Sequence, residues 1–466
     1  MPAMARVVVV GGGIGGLACA LFLAPRGHDV TILDRDPAGL PADRDAAWAG
    51  WERRGVPQFR HIHLFNARGR NLLRDEAPAV FAALHAAGAG EIRLGDGDDD
   101  DLVRLTCRRT TYELVLRRAV LSDERVRFVG GVTVTGLCAA GRRITGARAA
   151  GGAEWAADVV VDASGRRSQV AAWLADVGLP PPRREEQAEG TVAYTRWYRL
   201  RSEASASLLR ADLGYAVGVV APADDGVFCV TFGCLAEDPV MRALRDPAAF
   251  DAAVAAIPSL AAWTAPDRAT VESGVLAMAD RTNRLVRLMV DGSPVVTGIA
   301  LLGDSAMCTN PGYGRGVGLA LVHARALAQV LEEAGDDPER VTPVFEDFTA
   351  TELEPWYRQA VAGDRVRLAI GRRVLAGEPL ATIGGEADDR AVRFARAAPI
   401  AVERDPIVRR ASHRAFQLLD PPSSYWGNPD IEARVEEVWR SMDPFAPAPP
   451  GPDHATMAAL LAAIRC

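Results

Sequence analysis

Residues 7–34 read VVVVGGGIGGLACALFLAPRGHDVTILD, and no other stretch constrains the fold as strongly. Val7 to Val10 form a short β-branched run, fit for a strand buried on both faces. Gly11, Gly13 and Gly16 follow in G-x-G-x-x-G spacing, with Ile14 and Gly15 inside it, and open the helical pattern Leu17 to Leu23. Glycines so spaced permit a tight turn, a close backbone approach to a pyrophosphate, and close packing of helix on strand. The first turn of the helix then offers free N–H groups and partial positive charge to phosphate. A second apolar strand, Val30 to Leu33, ends in Asp34, where an acid accepts hydrogen bonds from an adenosine ribose. A Gly-rich turn in another α/β protein would share the glycines. Strand, helix, second strand and terminal acid together predict a dinucleotide site.

Composition narrows the class. A chain of 466 residues, 49% hydrophobic, is long enough for two or three domains and a large core. The net charge of −7 argues against nucleic acid as a partner. No run of 18 apolar residues occurs, so no membrane span is expected. MPAMARVVVV leads straight into the first strand and does not read as a signal peptide. Seven scattered cysteines, with Cys229 and Cys234 the nearest pair, fit free thiols in the cytoplasm. His61 and His63 would share one strand face, but with no third ligand evident no metal is expected. The chain contains no lysine; all 53 basic residues are arginine, which excludes Schiff-base chemistry and any catalytic ammonium.

Further along, the pattern suggests interleaved domains. Residues 40–60 read as loop, 64–87 as helix, and 95–101 as an acidic flexible loop. Arg108 to Leu121 is helical, with strands near 125–137 and 143–149. DVVVDASGRRS at 158–168 is a strand ending in a turn. Three strands follow: Thr191 to Leu200, Gly214 to Val220 and Val227 to Leu235. Ala223-Asp224-Asp225-Gly226 gives a hairpin signal between the last two. Leu301 to Gly318, LLGDSAMCTNPGYGRGVG, is a second strand-to-helix turn with a carboxylate at its tip. From 341 onward the pattern is helical.

Four segments now carry a resemblance. These are the glycine motif with Asp34; RRGVPQFRHIHLFNARGRNLL at 53–73; CRRTTYELVLRRAV at 107–120; and DVVVDASGRRS with LLGDSAMCTNPGYGRGVGLAL. The chain resembles the FAD-dependent, class A-like flavoprotein monooxygenases of the aromatic-hydroxylase superfamily, closest to the squalene-epoxidase-like and polyether-epoxidase-like bacterial branch. The resemblance implies an α/β fold. A discontinuous Rossmann-type FAD-binding domain (1–75, 102–180, 276–340) would interleave with an antiparallel-sheet substrate domain (76–101, 181–275), ahead of a C-terminal helical region (341–466). It implies that Asp34, with Arg35 beside it, holds the ribose near solvent. Arg109 would lie by the FAD phosphates or ribityl chain. Gly303 and Asp304 would bind the ribityl hydroxyls in a buried site, and Pro311 to Gly316, with Gly314, and Val317 would pass along the flavin ring.

Each assignment has a plainer alternative. Arg109 could be a surface residue of an amphipathic helix, as Arg117 and Arg118 are expected to be. Asp304 could be an N-cap. Arg315 stands where relatives often carry Gln, and is expected within a few ångströms of the flavin, with Pro311, or else in solvent. Ser164-Gly165 replaces the Asp-Gly common in relatives, so nicotinamide-binding roles do not carry over to that turn.

The expected chemistry is monooxygenation. NAD(P)H, directly or through a separate flavin reductase, reduces FAD; O₂ adds as a C4a-hydroperoxide, and one oxygen atom goes to a hydrophobic natural product by alkene epoxidation or aromatic hydroxylation. Tyr194 and Arg196 on one strand, and Phe228 and Phe232 on another, are candidate substrate contacts, although aromatic stripes on strands are more often core. A flavin reductase or cyclase of the same superfamily, or a non-catalytic FAD-binding partner, would share these motifs. A halogenase would need an active-site lysine.

Overall fold

The β-branched valines become the middle of a parallel sheet. The computed structural model describes residues 4–37, 39–95, 97, 99–202, 208–279, 282–335, 337–385, 387–441 and 450–464. Asp96 and Asp98 of the acidic 95–101 segment lie outside these. β1 (Arg6–Val10) pairs in parallel with β2 (Asp29–Asp34) and with β9 (Val159–Asp162). Outside them lie β5 (Val126–Gly130) and β20 (Ile299–Leu301), giving the order β20-β9-β1-β2-β5. Five strands drawn from across three hundred residues make the nucleotide-binding unit discontinuous in sequence. Between β1 and β2, α1 (Ile14–Leu23) is apolar on nearly every side. It is buried against α9 (Gly316–Ala334) and α5 (Arg109–Leu121).

Three smaller antiparallel groups border this sheet. β6 (Val134–Ala140), β7 (Arg143–Ala149) and β8 (Glu154–Ala156) form one. The hairpin of β3 (Gly90–Arg93) and β4 (Val103–Thr106) is the second. The third is β18 (Met289–Val290) with β19 (Ser293–Pro294).

The region after Pro180–Pro182 is antiparallel, as its alternating pattern predicts. β11 (Thr191–Leu200) pairs with β14 (Val227–Leu235), and β14 with β13 (Ala216–Pro222), along nearly their whole lengths. β12 (Leu209–Asp212), β15 (Ala269–Val271) and β16 (Leu276–Met278) complete a six-stranded sheet. The β13–β14 turn has positive φ at both Asp225 (54°) and Gly226 (67°), the geometry that suits the right-handed twist of a hairpin. One face of the sheet is covered by α7 (Pro247–Ala255) and α8 (Pro258–Thr264). β10 (Arg183–Ala188), β17 (Thr282–Arg287) and β21 (Met307–Cys308) form a connecting sheet.

The C-terminal third is helical: α10 (Val341–Phe348), α11 (Glu354–Leu375), α12 (Arg390–Arg404), α13 (Pro406–Phe416), α14 (Pro429–Ser441) and α15 (His454–Ile464). α12 to α14 share a small core of their own, whereas α15 packs on α7. Among the described residues, no helix is long and apolar enough to cross a membrane.

Three expectations need correction. Residues 40–60 are not all loop: Asp43 caps α2 (Arg44–Gly50), its carboxylate accepting from the Ala46 N–H at 2.8 Å. The 64–87 helix is two, α3 (Ala67–Glu76) and α4 (Pro78–Ala86), because Pro78 cannot donate the N–H that continuity requires. Segment 76–101 does not join the antiparallel sheet. Val80, Leu84 and Ala89 pack in the same core as Val7, Val9 and α1. α6 (Val170–Asp176) covers the opposite face of the parallel sheet.

The crossing of α1 over β1 depends on one missing side chain. A Cβ on Gly16 would overlap the Gly11 carbonyl. Gly16→Ala is expected to cost about 3 kcal/mol or more of stability, the upper range for overpacking, because backbone cannot yield as a side chain can. Denaturant unfolding checks this; a wild-type midpoint would show that the close approach is dispensable.

Candidate cofactor and substrate site

At the carboxyl edge of the parallel sheet, β1 turns into α1 through Gly11 to Gly13. A Cβ on Gly13 would meet nothing within 4 Å, and no side chain caps α1. The first N–H groups of the helix therefore face open space, as a phosphate cradle requires. Gly11, Gly13, Ile14 and Gly15 border the cavity there, while Gly16 lies behind it as a packing residue.

Asp34 ends β2 beside this turn, but not as the sequence suggests. It is 4% exposed and its carboxylate accepts from Arg53 at 2.8 Å. The Arg53 guanidinium also donates to Asp36 at 2.7 Å, to the Gly12 carbonyl and to Glu113. Burial opposes the Arg53 charge, yet Glu113, Asp34 and Asp36 outweigh it and raise its pKa. Burial likewise pushes the Asp34 carboxyl up, against the pull of Arg53. Arg117, expected at the surface, is fully buried 3.9 Å from Asp34, with its guanidinium over Phe128. Arg118 is exposed and donates to the Pro41 carbonyl at 3.1 Å. Arg35 is exposed at the cavity rim.

Arg109 opens α5 as a buried residue bordering the cavity. It donates to Glu113 at 3.2 Å and lies 2.9 Å from His63 Nε2. His63 Nδ1 is 2.9 Å from the His61 carbonyl, so Nδ1 carries the proton and Nε2 accepts from Arg109. Burial, with Arg109 beside it, pushes the imidazole down to about 3 and keeps it neutral. Arg109, Glu113, Arg53 and Asp34 thus form one buried chain of alternating charge beneath the glycine turn.

The second turn, after β20, places Asp304 on a single turn of 3-10 helix. Its backbone is fixed from several sides. Arg284 donates to the Asp304 carbonyl at 2.9 Å and to the Arg166 carbonyl at 2.6 Å. The Gly165 N–H donates to Ser305 Oγ at 2.8 Å, and Ser305 Oγ donates to the buried Asp162 carboxylate at 3.2 Å. The Gly303 N–H donates to His323 Nδ1 at 3.3 Å. The Asp304 side chain is left half-buried at the cavity edge with no hydrogen-bonding partner among the described residues. The expected order of exposure is therefore reversed: Arg53 seals Asp34 in, and Asp304 is the accessible acid.

Residues 309–316 continue along the cavity. Helix α11 holds this loop at two points. The buried Asp364 carboxylate accepts from Asn310 at 2.8 Å, from Asn283 at 2.7 Å and from Tyr313 Oη at 3.3 Å. Further up α11, Gln359 accepts from Arg315 at 2.5 Å. Arg315 is fully buried, which removes the solvent-facing alternative. Its guanidinium lies among Tyr313, Trp356, Trp426 and Phe416, 4.6 to 5.9 Å from their ring centres. Burial pushes it down to about 10. The loop leads into α9, which has no side-chain cap either. Pro311, Gly314, Gly316 and Val317 border the cavity.

Both turns open into one cavity of about 2360 Å³. It is bounded across from the glycine turn by the antiparallel sheet, but by the face opposite to that expected. Tyr194, Phe228 and Phe232 lie in the core against α7 and α8, and Arg196 donates to Asp251 at 2.6 Å. None of the four borders the cavity. Ala193, Val217, Val219, Thr231 and Gly233 do, so the sheet offers a smooth, largely apolar floor.

Known proteins share the fold. Residues 6–82 match the family of FAD dependent oxidoreductases. Protein Rv3254 of Mycobacterium tuberculosis is 26% identical over 456 residues, covering 89% of this chain and 90% of its own. Among solved structures, the flavin-dependent brominase Bmp2 superposes with a TM-score of 0.61 at 15% identity, covering 94% of this chain and all of the other. p-Nitrophenol 4-monooxygenase PnpA from Pseudomonas putida gives 0.58 at 16%, covering 90% and 99%. The chain carries an FAD-dependent oxidoreductase domain on the fold of the flavoprotein monooxygenases.

The imidazole behind Gly303 generates a pH prediction. His323 Nε2 donates to Thr349 Oγ1 at 2.9 Å, and Thr349 donates onward to the Phe345 carbonyl, so Nδ1 stays free to accept. Burial holds this histidine down to about 3. Unfolding raises it to about 6.5, so the unfolded state binds the extra proton and stability falls as pH drops from 6.5 toward 3. At pH 5 the expected loss from His323 alone is about 2 kcal/mol. Urea unfolding at pH 7 and pH 5 should show a smaller difference between the two pH values in His323→Gln than in wild type; equal differences would count against a neutral buried imidazole.

Proposed function

We propose that this FAD-dependent oxidoreductase is a monooxygenase that transfers one atom of O₂ to a largely hydrophobic small molecule held over the flavin. What carries this reading is a single cavity that joins the two strand-to-helix turns to a broad apolar floor. The volume of about 2360 Å³ exceeds what a dinucleotide needs, leaving room for a second ligand of natural-product size.

The residues present fit FAD. The uncapped N-terminus of α1 would receive the pyrophosphate. Asp34 would turn from Arg53 toward the ribose hydroxyls, and Arg53 would keep Asp36 and Glu113 as partners. The unpartnered Asp304 carboxylate would accept from the ribityl chain, and the α9 N-terminus would face the ring. FAD, once reduced, supplies the chemistry of oxygen activation and transfer.

The chain's own part is positional. Asp162, Ser305 and Arg284 fix the Asp304 turn, and Asp364 and Gln359 fix the loop after it. The N-terminal charge of α9 favours negative charge nearby, as a reduced flavin carries. Ala193, Val217 and Thr231 leave space for substrate while keeping water from the ring. Oxygen transfer to an electron-rich carbon needs no protein nucleophile. Halogen transfer of the brominase kind is disfavoured, since no lysine is present to carry the halogen.

NAD(P)H oxidation and O₂ uptake by the FAD-loaded protein, with and without an added flavin reductase, test the reading. Consumption of both in either condition is expected; a protein that consumes neither would be a non-catalytic FAD binder. Asp304→Ala should weaken FAD binding by roughly ten- to hundredfold, the range for losing a hydrogen bond to a charged group. Flavin titration checks this, and an unchanged Kd would remove Asp304 from the site.

A further inference from the structure

Eight arginines are buried among the described residues, and seven have visible partners. Arg53, Arg108, Arg109 and Arg196 pair with carboxylates. Arg117 donates to the Pro37 carbonyl, Arg284 to two carbonyls, and Arg315 to Gln359 within its aromatic cage. Arg104 is the exception. It is 4% exposed, its Nε has no partner, and among the described residues nothing bonds or pairs with its guanidinium. A lone buried cation is costly, and burial alone pushes this one down to about 10. Such a group persists when something outside the chain supplies the missing charge.

Arg104 borders the same cavity. It sits on β4, where Leu105 bridges Phe65, and both of those side chains point into the core beside Tyr112. Strand alternation therefore turns Arg104 to the opposite face, the one it shares with Asn66. Asn66 is 3% exposed and also has an unused donor, Nδ2, while its Oδ1 accepts from the Gly69 N–H at 3.0 Å. Asn66 packs on Gly318 in the first turn of α9, and neighbouring Leu64 packs on Gly314 of the flavin-facing loop. Two unsatisfied donors thus lie beside the helix end that would face the ring.

We infer that Arg104, with Asn66 beside it, binds a planar oxyanion of the substrate, so that the molecule oxidised is an organic acid: a carboxylate, or the enolate of a 1,3-dicarbonyl. The guanidinium fork matches two oxygens sharing one charge, and one unpaired Arg suits a monoanion. Apolar walls would then hold the rest of the molecule. This rests on the monooxygenase reading for its substrate, but its test does not.

The test is binding to the FAD-loaded protein. 2-Naphthoate, trans-cinnamate and geranate are each titrated beside their primary amides, by calorimetry and by the flavin spectrum. At least one acid should bind about tenfold or more tighter than its amide. The preference should vanish in Arg104→Met and survive in part in Arg104→Lys. Arg104→Met should keep its FAD content and melt at or above the wild-type temperature, because an uncompensated buried charge has been removed. No acid preference in wild type, a preference that persists in Arg104→Met, or a variant that loses FAD or melts lower would each overturn the assignment. A clear acid preference without O₂ uptake would leave Arg104 in place and remove the monooxygenase reading instead.

Discussion

The side-by-side packing of α1 on α9 is the constraint on which the rest of this molecule depends. These helices begin more than three hundred residues apart in sequence, at 14 and 316, yet each follows a strand of the same parallel sheet. Parallel strands end at one edge, so both helix N-termini must arrive there. Neither has a side-chain cap, and both leave N–H groups free toward one cavity. A ligand with phosphates along its length and an electron-rich ring beyond them suits that pair of positive ends. The intervening chain is free to build other things, and it builds the sheet that floors the cavity.

Holding the two turns still falls to buried polar groups. A buried carboxylate without partners would take up a proton or destabilise the fold; here Asp34, Glu113, Asp162 and Asp364 each have several donors. Arginine suits this work because its planar fork reaches several acceptors at once, as Arg53 does with three carboxylates and a carbonyl. The same economy makes Arg104 conspicuous. Every other buried guanidinium among the described residues has at least one partner, and the one with none lies on the cavity.

Much of this was legible in the sequence, and the boundary has a physical cause. The glycine turn, Asp34 and the 301–318 turn carry local signals: period, turn residues and an acid at a strand end. Hairpin 223–226 was legible for the same reason. Arg53, Asp364 and His323 were not, since each acts on a residue distant in the chain and nothing nearby marks it; Arg104 was not, since its burial comes from elements that the local pattern does not reveal. Alternation along β11 and β14 separates two faces but does not say which one meets helices. Tyr194 and Phe232, the larger side chains, took the core, and the small residues opposite took the cavity. The burial of Arg315 could not be read, because the cage around it comes largely from α11 and the C-terminal helices, which carry no motif.

A crystal structure of the FAD complex tests the central claim most directly, namely that the two uncapped helix ends serve one flavin. The pyrophosphate is expected at the first N–H groups of α1, the ribityl chain on the Asp304 carboxylate, and the ring at the start of α9. A flavin whose ring lies away from α9, or whose ribityl chain does not reach Asp304, would contradict it.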